Sequence, residues 1–195
     1  MRVIWGFILI FIVGAAFADT ITLNLSFEND GKLTANSFGV VIVSDDIQDQ
    51  LSFRIEANTS VLGSSADVEQ FGFSLDFAEA ITLIGGTNSP EIGQDRRVKG
   101  RNSIFDYLVD FGQGQPFFNT VEFTIEGDGL DLAALLNSPL SSQNDKPDAQ
   151  FFAHIQSTRT PGGSESIGGV VPVPAAVWLF GSALGLLGWV RCKTA

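Results

Sequence analysis

Three groups of residues in this chain have types and spacing that chemistry can use. The first group is acidic loops: Glu28-Asn29-Asp30, Ser44-Asp45-Asp46 with Asp49, and Gly127-Asp128-Gly129-Leu130-Asp131. Calcium takes about six to eight oxygen ligands, and glycine lets a loop bend round the ion. The last loop, through Asp128 and Asp131, suits calcium best, while Asp, Asn and Gly are also ordinary turn residues. The second group is Arg96, Arg97, Lys99 and Arg101, a basic run that suits an anionic polysaccharide, since guanidinium pairs well with carboxylate. The third is His154, the lone histidine, in Phe151-Phe152-Ala153-His154-Ile155-Gln156. Ser and Asp are plentiful enough for a Ser-His-Asp triad, but no spacing selects one. Gly163-Ser164-Glu165-Ser166 lacks the closing glycine of a nucleophile elbow.

Composition narrows these options. All 22 acidic residues fall between Asp19 and Glu165, with eight of the 11 basic ones, so that stretch carries 14 excess negative charges. Nucleic acid is excluded as a partner, because phosphate binding needs clustered Lys and Arg. One Cys excludes a disulfide framework and a Cys-based zinc site, and one His excludes a His-rich metal site. Trp occurs only at positions 5, 178 and 189, and Tyr107 is the one tyrosine, so 17 phenylalanines supply nearly all the aromatic mass. Phe belongs in a core, whereas a sugar-stacking platform favours exposed Trp or Tyr.

The elements that must hold these residues are strands. Ile21, Leu23, Leu25 and Phe27 alternate with polar residues, as do Leu51-Phe53-Ile55, Phe71-Phe73-Leu75-Phe77 and Val121-Phe123-Ile125. Residues 38–43, 81–84, 104–111 and 151–156 complete about eight strands, so residues 19–158 read as an all-β domain, a β-sandwich or jelly roll. One short helix is expected over Leu130–Asn137, capped by Asp128 or Asp131. Residues 159–170, rich in Gly and Ser, read as a flexible linker.

The two ends carry address signals. Residues 1–18 read as a signal peptide: Arg2, an apolar run from Val3 to Val13, and Ala16-Phe17-Ala18 for signal peptidase, which cuts after Ala18. From Val171 the chain reads VPVPAAVWLFGSALGLLGWVRCKTA. Ala175 to Val190 is 16 residues without a charge, about 24 Å of helix, and Val170 to Pro174 lengthens it enough to span a bilayer. Arg191 and Lys193 form a stop-transfer signal and place this end in the cytoplasm, with the acidic domain outside.

The Pro-x-Pro motif Pro172-Val173-Pro174, the transmembrane helix and the basic tail resemble the PEP-CTERM sorting signal of Gram-negative bacteria, over about 25 of 195 residues. Val173 stands where that signal usually has Glu, and the basic tail is interrupted by Cys192. The resemblance implies cutting near Pro172–Pro174 by exosortase, an integral-membrane cysteine protease or transpeptidase, in association with exopolysaccharide. The expected protein is therefore a non-enzymatic exported one, an inner-membrane intermediate destined for the cell surface or a biofilm matrix. A calcium- or polysaccharide-binding surface module is the second reading, and a small hydrolase using His154 the third.

Overall fold

Apolar residues at every second position make the main core. The computed structural model describes residues 20–28, 37–99, 104–112, 116–138, 149–156 and 163–170. Strand β3 (Gly39–Ser44), β4 (Gln50–Ala57) and β9 (Thr120–Glu126) pair antiparallel, with Val43 opposite Phe53 and Phe53 opposite Phe123. Their period-two pattern turns Val41, Val43, Leu51, Phe53, Ile55 and Phe123 inward, all buried. β1 (Thr20–Leu25) joins one edge and β6 (Thr82–Gly86) the other, giving a five-stranded sheet in the order β1-β3-β4-β9-β6.

The second sheet has six strands, in the order β2-β11-β10-β5-β8-β7. These are β2 (Phe27–Glu28), β5 (Asp67–Phe73), β7 (Glu91–Arg97), β8 (Ile104–Asp110), β10 (Phe151–Gln156) and β11 (Ser164–Gly169). Every ladder in both sheets is antiparallel. The first strand read from the sequence is thus two: the chain leaves the five-stranded sheet at Leu25 and pairs with β11 from Phe27. The sheets close on a phenylalanine cluster in which the rings of Phe53 and Phe123 stack 4.6 Å apart. The all-β sandwich expected from the sequence is what forms. Two helices are short: α1 (Thr59–Leu62), capped by Asn58, and α2 (Leu132–Leu136), capped by Asp131.

Two segments differ from expectation. Ser164–Gly169 is not linker but strand β11, buried from Glu165 to Gly169 between β10 and β2. The folded domain therefore runs past residue 158 to Gly169. Small residues are needed there for packing rather than flexibility. A Cβ on Gly169 would collide with the ring of Phe151 and the carbonyl of Asn24. The same logic holds at Gly72 on β5, where the side chains of Val98 and Phe105 occupy the space a Cβ would need. Phe152 lies between Gly72 and Gly168 on the neighbouring strands, and aromatic rings commonly shield strand glycines in this way.

The second difference is at Glu91–Arg97, the start of the basic run. It forms edge strand β7, not a loop. Beyond it, Val98 turns back over the outer face of the six-stranded sheet and packs with Phe105, Ala149 and Phe152 into a second small core. β10 is consequently covered on both faces, which explains its unbroken Phe-Phe-Ala-His-Ile run. Among the described residues no helix is long and apolar enough to cross a membrane. The signal peptide with Ala16 and Ala18, the sorting motif Pro172-Val173-Pro174, and Arg191 and Lys193 lie outside the described residues.

Candidate functional site

His154 sits beside the second core, and the structure gathers four polar groups around it. Alternation along β10 turns Ala153 and Ile155 into the main core and His154 to the opposite face. Directly across on β11 is Ser166, whose Oγ lies 3.2 Å from His154 Nδ1. On the other side the β5 register skips: His154 pairs with Gln70, but Ile155 pairs with Val68. Glu69 is the extra residue of this β-bulge. Without the bulge, Glu69 would share the parity of Phe71 and Phe73 and point into the main core. With it, Glu69 joins Gln70 on the His154 face, which is how bulges re-aim side chains. Glu69 Oε2 lies 3.3 Å from His154 Nε2, and Lys99 Nζ lies 3.4 Å from Glu69 Oε1.

The direction of each hydrogen bond follows from donor and acceptor chemistry. Ser166 Oγ lies 2.7 Å from the Lys99 carbonyl, which can only accept, so the hydroxyl proton points there. Ser166 Oγ then has only lone pairs to offer His154 Nδ1, 3.2 Å away. A nucleophilic serine needs the reverse, with its proton passing to the imidazole. Ser166, His154 and Glu69 have the composition of a triad but the opposite polarity, and all three are buried. What they hold is Lys99. Its N–H donates to Gln70 Oε1, its carbonyl accepts from Ser166, and its ammonium meets Glu69. The chain after β7 is clasped onto the sheet at three points.

Burial, with the Lys99 ammonium close by, pushes the His154 imidazole down to about 4 from an ordinary 6.5, although a hydrogen bond to the Lys99 backbone opposes this. The folded state therefore keeps His154 neutral while the unfolded chain takes up a proton below pH 6.5. Stability is expected to fall as pH drops from 6.5 towards 4, by at most about 1.4 kcal/mol per pH unit from this group. Asp67, raised by burial, acts in the opposite sense just above its ordinary value of 3.8. Urea unfolding at several pH values should show the His154 slope in the native chain and its loss in His154→Gln; an equal slope in both would remove His154 as the cause.

The other expected sites fare differently. Arg96 and Arg97 are exposed on β7, Lys99 is exposed along its side chain with its ammonium beside Glu69, and Arg101 lies outside the described residues. Two of the acidic loops do meet. Gly129 N–H donates to Asp49, Leu132 N–H to Asp45 and Ala134 N–H to Asp131, while Asp128 is exposed. These carboxylates tie the loops to the start of α2, and among the described residues no three His, Cys, Asp or Glu side chains gather as a metal-ligand set. Of the third loop only Glu28 is described. Sequence reasoning missed Glu69, Lys99 as a clasped residue, and Ser166. Only cross-strand register reveals them, and the bulge breaks the parity that a sequence can display. Comparison with family models, with curated proteins and with solved structures finds no match to this chain.

Proposed function

We propose that this is an exported, non-enzymatic protein of the cell surface or extracellular matrix, sorted and cut by exosortase in association with exopolysaccharide. The observation that carries the reading is the segment Val171 to Lys193: Pro-x-Pro, an uncharged apolar stretch of membrane-spanning length, then Arg191 and Lys193. The signal peptide supports it from the other end, with signal peptidase removing residues 1–18 and the inner membrane holding the chain until it is cut. The fold is compatible with such processing, because β11 ends at Gly169 and the Pro-x-Pro motif begins three residues later. A cut at Pro172–Pro174 leaves every described strand in place. The strongly acidic surface favours solubility and self-repulsion once the anchor is gone.

Mass spectrometry of both termini in cells with and without exosortase tests this. The expected mature chain begins at Asp19 and ends near Pro172 to Pro174 only when exosortase is present. An intact tail through Ala195 in both strains would reduce the protein to a plain membrane-anchored one.

A further inference from the structure

We propose that the outer face of the five-stranded sheet is a binding groove for an uncharged polysaccharide chain. This deepens the surface-protein reading by naming a ligand class and a site. Two adjoining hollows, of about 550 Å³ and 320 Å³, open on this face and share Ser52, Glu122, Phe123 and Thr124 as common lining. Together they run from Ile42 on β3, over β4 and β9, to Ile84 on β6. Four adjacent strands span about 14 Å, room for a length of chain rather than one sugar.

The hollow over β6 has a local cause. The register between β6 and β9 skips between Leu83 and Gly85, so Gly85 lies opposite Thr124 and Gly86 opposite Phe123. Gly85 carries no side chain to fill the space, whereas at Gly86 the place of a Cβ is already taken by Pro90 and the Glu122 carbonyl. A Cβ on Gly85 would meet nothing within 4 Å, so the hollow there is open.

The lining decides the ligand class. Ser52 and Thr124 hydroxyls lie 3.2 Å apart at the centre, and Gln50 and Thr87 add an amide and a further hydroxyl nearby. These groups exchange hydrogen bonds with hydroxyls. Arg54 is the one cation of the lining, and it is already engaged by Glu56 and, at 2.9 Å, by Glu122. A polyanion would find no free positive charge here and would meet the acidic surface of the whole domain. Ile47 and Ile84, 59% and 46% exposed, face the same hollow and offer apolar surface to the C–H faces of sugar rings. Hydroxyl partners, apolar rims and a neutralised cation together describe an uncharged glycan.

The test is calorimetric titration of the purified full chain in a detergent without sugar headgroups. The probes are pentasaccharides of β-1,4-glucan, β-1,3-glucan and α-mannan, with an alginate pentamer as the anionic comparison. At least one neutral probe is expected to bind, at least about tenfold tighter than alginate. Ile84→Asp at the rim and Ser52→Arg at the centre should each weaken it about tenfold or more, with unchanged melting temperature. Binding untouched by both variants, equal or better binding of alginate, or no binding of any neutral probe up to about 10 mM would overturn the proposal. Terminal mass spectrometry is independent of this titration, so a trimmed chain that binds no neutral glycan would sink the groove and leave the sorting reading standing.

Discussion

A chain that stops at Gln156 is expected not to fold, whereas one that stops at Val171 should melt where the full-length ectodomain does. The composition of residues 159–170 invites the first truncation, because it reads as dispensable linker. In the structure that cut removes β11, which pairs with β10 over six positions and with β2 over two. Ile167 leaves the main core, a loss of about 1.5–3 kcal/mol for a fully buried aliphatic side chain. Ser166 leaves the Lys99 clasp, and its two hydrogen bonds contribute about 1 kcal/mol each. The backbone groups of β10 lose their ladder partners, leaving an apolar strand as a bare sheet edge. A domain of this size has about 5–15 kcal/mol in total, so these losses of about 3.5–5 kcal/mol approach its lower bound before the ladder is counted. Amide NMR spectra of the two truncated chains decide the matter. A dispersed spectrum and native melting temperature for the chain ending at Gln156 would show β11 to be an accessory.

Phe123→Ala is expected to cost about 3–5 kcal/mol, the range for emptying a buried phenylalanine site. Phe123 stacks on Phe53 at 4.6 Å, and the rings of Phe71, Phe73 and Phe111 surround it at 5.8–6.1 Å between centroids. It is buried on the central ladder of its sheet, where neighbouring strands on both sides restrict collapse into the cavity. Phe117→Ala provides the comparison, since Phe117 is 42% exposed and its loss should change stability by about 0.5 kcal/mol or less. Urea midpoints at neutral pH measure both. Similar small shifts for the two variants would mean the cluster is not the centre of the core.

The fold was legible where one face of a strand is wet. β4 and β9 alternate cleanly because their outer faces meet solvent, and α2 announced itself through leucine spacing and Asp131. Legibility ended where a strand is covered on both sides or where register shifts. Phe71 to Phe77 reads as one alternating strand, yet β5 stops at Phe73, and Asp76 instead donates its N–H to Ala134 of α2. β11 hides because glycine suits both a linker and a strand packed under aromatic rings, and only Phe151 and Phe152 across the ladder distinguish the two. The His154 cluster hides for a related reason. Its members run from Glu69 to Ser166 along the chain, on three strands and a return segment, and the bulge at Glu69 contradicts the parity that Phe71 and Phe73 set. In the basic run, adjacency in sequence did not reveal that the exposed Lys99 side chain reaches Glu69 while Arg96 and Arg97 lie on β7.

The position of β11 also has a mechanical meaning. Its last residue, Gly169, is where any load carried through the C-terminal segment enters the domain. A force applied at Val170 acts along the axis of a strand held on both flanks by antiparallel neighbours. Its hydrogen bonds are then sheared together instead of being peeled one at a time. A domain pulled along this strand therefore resists as a unit.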